Sequence, residues 1–239
     1  MHVPDGFLDA PTSVATGAVA VVAVGVALRG ARRELDDRTA PVAGLVAAFV
    51  FAAQMINFPV GAGTSGHLLG AALAVALAGP FTATLCLAVV LGVQAVFLAD
   101  GGLTALGTNI VLMGVAGVWA AWAVLALGRA LLPTRVGVVA PLAALAAFVS
   151  VPVAAAVFTG LFAVGGTTTI DVGSVLAAMV GVHLVIGLGE ALITGLVVAS
   201  VVAVRPDLVH AARPAMRARR ADLAAAAATD RTVPTGVRS

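Results

Sequence analysis

The chain has 239 residues, of which 61% are hydrophobic and 10% are charged, and its formal net charge is +2. This composition excludes an ordinary soluble domain and predicts an all-α, polytopic membrane protein. The sequence contains no lysine and a single cysteine, Cys86. It therefore lacks the lysine that a phosphate-binding P-loop requires, and it can build neither an internal disulfide nor a cysteine metal cluster. We expect a protein that is not an enzyme and hydrolyses no ATP itself.

Seven apolar stretches can be compared with the roughly 20 residues that an α-helix needs to cross the hydrocarbon layer. The third is short, so a re-entrant hairpin or a buried half-span is an alternative to a full crossing. The stretches cover residues 12–28, 42–58, 67–78, 81–98, 109–132, 136–162 and 172–204.

The basic residues determine the predicted orientation. All thirteen are arginines, and they form three clusters, after the first, fifth and seventh stretches. If all seven stretches cross and the amino terminus lies outside, every cluster is cytoplasmic, as the positive-inside rule requires. If the third stretch did not cross, Arg129 and Arg135 would face the outside, so the charge pattern favours crossing. The outer segments then carry only acids, which attract cations, namely Asp5, Asp9, Asp100 and Asp171.

The first two residues offer a metal chelate if the chain begins at a free Met1. We expect this start, because the amino terminus lacks the basic region and the short apolar segment of a cleaved signal. The terminal amine, the His2 amide and a His2 ring nitrogen then close a five-membered and a six-membered ring on one ion. Such planar nitrogen ligands favour Ni(II) or Cu(II), with Co(II) also able to bind, and leave one position for an imidazole. His67, in a glycine-rich outer loop, is the predicted fourth ligand.

Simpler interpretations of both histidines stay open at this stage. Chain termini are usually frayed, and His67 is placed where it could merely cap the third helix. If the chelate exists, hydrogen bonds from neighbouring polar residues would hold its imidazoles. The candidates for this role are Asp5, Thr64, Ser65 and Asn109.

The seventh stretch carries two further ionisable residues, His183 and Glu190, which are two helical turns apart and share a face. Ionisable residues inside a membrane are costly and are a functional hypothesis by default. A proton-coupled secondary transporter that uses these two groups is therefore the alternative function. A hydrogen bond between helices is the simpler interpretation, as it is for the amides Gln54, Asn57 and Gln94.

We divide the chain into a transmembrane metal-binding domain, residues 1–204, and an arginine-rich cytoplasmic tail, residues 205–239. The tail cannot bury a core, so we expect it to be flexible, with one short helix near anionic lipid head groups. His210 lies in the tail and is expected to be a bystander.

Four segments resemble the CbiM/NikM proteins, the substrate-binding components of energy-coupling factor (ECF) transporters for cobalt and nickel. The resemblance extends from Met1 to about Val204, without departure at the ligand positions, and it does not include the tail. The four segments are Met1 to Leu8, Gly63 to Gly70, Asp100 to Asn109, and Gly189 to Thr194.

The resemblance implies seven helices with the amino terminus outside and inserted into the protein. It implies a square-planar metal held by the Met1 amine, the amide and ring of His2, and His67. It also implies partners, namely a transmembrane coupling protein, two cytoplasmic ATPases and, in some members, a small accessory membrane protein. The expected function is capture of Co(II) or Ni(II) at the extracytoplasmic face of a bacterial or archaeal plasma membrane, with cobalamin biosynthesis as one use of the cobalt.

Overall fold

The computed structural model describes residues 1–37, 39–61, 64–133 and 135–232, with all their side chains except those of residues 58–61, 64–65 and 227–232. Most of these residues are helical. The helices are α1 (Ala10–Glu34), α2 (Ala40–Gln54), α3 (Ala71–Ala78), α4 (Pro80–Phe97), α5 (Leu106–Leu131), α6 (Val139–Gly165), α7 (Val172–Val204) and α8 (Arg213–Thr232). Strands β1 (Phe58–Gly61) and β2 (Thr64–Gly66) form one antiparallel hairpin between α2 and α3. Short 3-10 turns cover Val136–Val138, Pro206–Leu208 and His210–Ala212.

Five described helices are long and apolar enough to cross a membrane, namely α1, α4, α5, α6 and α7. The shorter α2 has 15 residues and α3 has eight. At 1.5 Å per residue these two helices are roughly 22 and 12 Å long, against a hydrocarbon layer of about 30 Å. The chain is thus an all-α, multi-pass membrane protein, whereas seven full crossings and the orientation of the termini stay predictions.

The predicted start of the third helix is wrong. Residues 67–70 are not helical, because Gly70 adopts a left-handed conformation with φ of 74° and the helix begins only at Ala71. The residue that precedes α3 is therefore Gly70, and His67 does not cap the helix. The second predicted stretch also ends early, since α2 stops at Gln54 and the chain then enters the hairpin.

Helix α3 lies at the centre of the bundle. All eight of its residues are buried, and it packs against α2, α4, α5, α6 and α7. Its alanines leave room for this many neighbours at short distance. Irregular backbone at membrane depth is tolerated where protein encloses it, and residues 67–70 meet that condition. The half-helix α3 and the buried segment before it together form the third stretch.

The two ends of the bundle are built from different segments. At one end, the first nine residues meet the loops that precede α5 and α7. At the other end, the Glu34 carboxylate accepts hydrogen bonds from the backbone N–H groups of Phe81 and Thr82, at 3.2 and 2.7 Å. The turns after α7 pack there too, and the Arg213 guanidinium donates to the Glu34 carbonyl at 2.9 Å. The division of the chain at residue 204 stays a prediction.

Helices α1 and α5 approach closely where Gly17 faces Gly107. A Cβ atom on Gly107 would overlap the Cα and N atoms of Gly17. Next to this crossing, the hydroxyls of Thr16 and Thr108 are hydrogen-bonded at 2.8 Å. The crossing fixes the first turn of α5, where the next residue is Asn109.

Replacing Gly107 by Ala should lower the free energy of unfolding by about 1 to 3 kcal/mol, because the new methyl group meets backbone that cannot move aside. The measurement is thermal unfolding in detergent. Gly160→Ala in α6 is the matched control, since nothing lies within 4 Å of its Cβ position, and it should be neutral or slightly stabilising. Equal behaviour of the two variants would contradict the close crossing.

Candidate metal site

The amino terminus lies inside the protein. Met1 is 1% exposed, His2 is 5% exposed and Val3 is fully buried. Phe7 anchors the segment between Phe158 and Phe162 of α6, with ring centroids 5.8 and 5.5 Å away. The first residues are therefore packed as core residues.

Hydrogen bonds hold the backbone of this segment at several points. Asn109 accepts from the Val3 N–H at 2.8 Å and donates to the Val3 carbonyl at 3.2 Å. Asp5 accepts from the N–H of Thr104 at 2.7 Å. Asp9 caps α1 by accepting from the Thr12 N–H at 2.9 Å. Two of the predicted supporting residues, Asp5 and Asn109, thus position the terminal backbone and not the imidazole rings.

The other two predicted supporting residues are Thr64 and Ser65. Their side chains lie outside the described part of the structure, although their backbone belongs to β2. Gln94 and Asp100, which the sequence did not single out as site residues, contact His2 directly. The sequence did offer a way to predict Asp100, because this residue lies in the loop that leads to Asn109, a predicted site residue.

A relay of amides fixes the protonation of His2. The Leu69 carbonyl can only accept, so Gln54 Nε2 donates to it at 2.8 Å. Gln54 Oε1 then accepts from Gln94 Nε2 at 3.0 Å, which leaves Gln94 Oε1 to accept from His2 Nε2 at 3.2 Å. The ring proton of a neutral His2 is thereby placed on Nε2, and Nδ1 keeps its lone pair.

His2 Nδ1 lies 3.0 Å from Asp100 Oδ1, which is within ion-pair distance, and it makes no regular hydrogen bond to the described residues. The pKa of Asp100 lies below its usual range, mainly because a proton on His2 Nδ1 can bind its carboxylate. Two electron-rich atoms at this distance repel each other unless a proton or a metal ion lies near both. The position next to Nδ1 therefore favours a cation.

The terminal amine of Met1 is enclosed close to the same carboxylate. Burial lowers the pKa of this amine to about 4, and the charge of Asp100 opposes that shift. The amine is neutral at ordinary pH and keeps its lone pair, as a metal ligand requires.

His67 is fully buried beside His2. Its Nδ1 donates to the Leu68 carbonyl at 2.9 Å, which leaves the lone pair on Nε2, and Nε2 has no partner among the described residues. The two rings have centroids 4.5 Å apart and planes inclined by 28°. Direct stacking gives such a distance. With a metal–nitrogen bond of about 2 Å and about 1.2 Å from nitrogen to ring centre, two imidazoles at right angles around one metal would also lie about 4.4 Å apart.

The backbone that carries His67 is held from α2 and α7. Gln54 binds the Leu69 carbonyl, and the Glu190 carboxylate accepts from the N–H groups of Leu69 and Gly70 at 2.7 and 2.9 Å. His183, two turns before Glu190, donates from Nδ1 to the Met179 carbonyl at 2.7 Å and has a buried, unpartnered Nε2 in the described structure. It interacts electrostatically with both the terminal amine and His67.

Side chains alone do not make a metal site here. The described residues contain no group of three or more His, Cys, Asp or Glu side chains that could hold an ion. Cys86 lies elsewhere and contacts the Ala43 carbonyl, and His210 lies at the opposite end of the bundle, close to Arg129 and Arg213. A metal bound beside His2 would therefore need backbone nitrogen ligands.

The sequence matches the CbiM family, described as "Cobalt uptake substrate-specific transmembrane region", over residues 2–208. It is 36% identical over 209 residues to a protein of Haloquadratum walsbyi whose name describes metal transport, and this alignment covers 87% of this chain and 93% of that protein. It is 42% identical to the fused nickel transport protein NikMN of Rhodobacter capsulatus over 54% of this chain and 37% of the fused protein. With the cobalt transport protein CbiM of Sorangium cellulosum the identity is 40%, over 54% and 59% of the two chains.

Solved structures share the same architecture. A crystal structure of a truncated transition metal transporter superposes with a TM-score of 0.77 at 30% identity, and the match covers 85% of this chain and 99% of that one. A second transition metal transporter gives a TM-score of 0.76 at 30% identity, with 84% and 92% covered. Since the family match and the structural matches all extend over most of the described chain, this multi-pass membrane protein belongs to the CbiM family.

Proposed function

We propose that this chain captures Co(II) or Ni(II) as the substrate-specific component of a metal importer. The ligands are the Met1 amine, the amide and Nδ1 of His2, and Nε2 of His67. One observation carries the proposal. Two buried imidazoles, 4.5 Å apart at their centroids, each have a ring nitrogen that makes no hydrogen bond to the described residues, and both lie beside an enclosed terminal amine.

The chelate uses the particular His2 nitrogen that the relay leaves unprotonated. A six-membered ring through the metal contains the His2 amide nitrogen, Cα, Cβ, Cγ and Nδ1, so Nδ1 is the nitrogen that must bind. The hydrogen bond from Nε2 to Gln94 supports this tautomer and orients the ring. Met1 and His2 together supply three nitrogens, and His67 supplies the fourth.

Charge balance makes a buried metal ion tolerable at this position. Binding through a deprotonated amide reduces the charge of a divalent ion and its ligands to +1. Asp100, next to His2 Nδ1, supplies one negative charge. An unpaired charge in a protein interior costs several kcal/mol, so this pairing supports tight binding.

The same chemistry separates metals by class. Removing the amide proton costs free energy, which binding offsets for metals that favour planar nitrogen ligands. Zn(II) and Mg(II) offset it poorly, because they prefer tetrahedral or oxygen-rich sites. Cobalt and nickel both accept the proposed ligands. The names of the relatives include both metals.

Import in this proposal is powered by partner subunits. The chain has no lysine and hence no P-loop. As the resemblance to energy-coupling factor components implies, ATP is hydrolysed by two cytoplasmic ATPases joined through a transmembrane coupling protein, with a small accessory membrane protein in some assemblies. Capture occurs at the extracytoplasmic face, where the amino terminus and the acidic loops are expected. Co-purification with the ATPases and metal uptake that requires them would test this part.

Adding two residues before Met1 should abolish tight Ni(II) and Co(II) binding, because the chelate needs a free amine at that position. A single added residue is unsuitable, because a histidine in third position forms a planar Ni(II) chelate of its own. His67→Ala should weaken binding as well, since it removes the fourth nitrogen. The measurement is titration of the purified protein, with its amino terminus established by mass spectrometry. His210→Ala is the matched control, because it removes a half-buried histidine at the opposite end of the bundle, and it should bind metal normally.

Undiminished binding by the extended chain would refute the chelate. It would direct attention to His183 and Glu190, and the proton-coupled secondary transporter would then become the better explanation. In that case Glu190→Gln would stop transport, and the protein would transport metal without partner subunits.

Metal affinity should fall as the pH is lowered from about 8 to about 5, because binding releases the proton of the His2 amide. Kd should rise by up to about tenfold per pH unit for each proton that binding releases. The Met1 amine adds nothing to this slope, since its pKa of about 4 leaves it unprotonated throughout the range. Calorimetric titration at several pH values is the measurement, and a constant Kd would exclude the proposed ligands.

A further inference from the structure

The two sources of metal ligands are held in different ways. Met1 and His2 lie on a segment that the first turn of α5 and the loop before it bind at several points. His67 lies on non-helical backbone between β2 and α3. The His67 ring can bind the metal only if this backbone is fixed, because a displacement of about 1 Å in a ligand atom already weakens a metal site.

Glu190 on α7 is the residue that binds this backbone from the centre of the bundle. One carboxylate oxygen accepts from the Leu69 N–H at 2.7 Å and the other accepts from the Gly70 N–H at 2.9 Å. Glu190 is 2% exposed, so no water replaces these bonds if they are lost. The carboxylate also lies at the amino-terminal end of α3, where the helix dipole favours negative charge.

We propose that Glu190 is a positioning residue for metal capture, which holds His67 in place through the backbone of Leu69 and Gly70. The inference rests on the proposed function. Leu69 is two residues from His67, and its carbonyl is the end of the relay that leads back through Gln54 and Gln94 to His2. Glu190 thereby completes one network that joins both ligand-bearing segments to α7.

A matched control exists at the other end of the bundle. Glu34 is also a buried glutamate, and its carboxylate also accepts from two successive backbone N–H groups at the start of a helix, those of Phe81 and Thr82. Replacing either glutamate by glutamine leaves one N–H facing an amide NH₂ group that cannot accept. Both substitutions should therefore destabilise the fold in a similar way, but only one lies beside the ligands.

The test compares Glu190→Gln with Glu34→Gln in the purified full-length protein, with Ni(II) as the probe for affinity and Cu(II) for its electron paramagnetic resonance spectrum. Glu190→Gln should weaken Ni(II) binding by about 10- to 100-fold, the usual effect of losing a residue that orients a ligand. It should also alter the Cu(II) hyperfine pattern, because His67 shifts relative to the other nitrogens. Glu34→Gln should lower thermal stability to a similar extent and leave both metal signals unchanged.

A double-mutant cycle shows whether Glu190 acts through His67. In a His67→Ala background the three nitrogens of Met1 and His2 remain, and Glu190→Gln should reduce Ni(II) affinity much less than it does in the unmodified protein. An equal loss in both backgrounds, or an equal loss with Glu34→Gln, would overturn the proposal. If Glu190→Gln does not fold, Glu190→Asp replaces it, with a smaller loss in the same direction expected. Absence of metal binding in the unmodified protein would instead refute the proposed function.

Discussion

The fold depends on satisfying the backbone of four non-helical residues in its interior. Among residues 67–70 only the Gly70 carbonyl has a helical partner in the described structure, the Ala74 N–H at 3.0 Å. An unpaired buried N–H or carbonyl costs about 1 to 3 kcal/mol. Glu190 accepts from two of the N–H groups and Gln54 donates to one carbonyl. These polar side chains on otherwise apolar helices allow α3 to begin deep inside the bundle. The break in the third stretch in turn leaves His67 beside His2, in place of a position on a continuous helix.

Burying the amino terminus also costs free energy. A charged ammonium group could not be buried there without a large penalty, and burial accordingly lowers the pKa of the Met1 amine to about 4. Asp100 supplies a negative charge close by, and Asn109 satisfies both polar groups of Val3. Phe7, packed between two phenylalanines of α6, fixes the entry point of the segment. The interior is therefore arranged around lone pairs that remain free.

Sequence patterns predicted much of this arrangement, but not its centre. Apolar length indicated the five long helices, and the positions of His2 and His67 indicated that the two would meet. The break at Gly70 was not predicted, because a glycine before an alanine-rich run is equally compatible with a continuous helix. Gln54 and Gln94 were expected only to join helices, since the direction of an amide relay depends on which carbonyl ends it. Glu190 could be paired with His183 by its spacing, whereas its contact with Leu69 depends on the break itself.

The amide relay also couples the two ligand-bearing parts of the proposed site, which are the segment with Met1 and His2 and the segment with His67. His2 donates into a chain of amides whose last acceptor is the carbonyl of Leu69, and the N–H of the same residue binds Glu190. A shift of α7 that moved Glu190 would disturb Leu69 and, through Gln54 and Gln94, the hydrogen bond that holds His2. Because hydrogen bonds in a buried chain polarise one another, loss of one weakens the rest. Both imidazoles would then lose their orientation together, which is the behaviour required of a site that must hold a metal ion tightly and later release it.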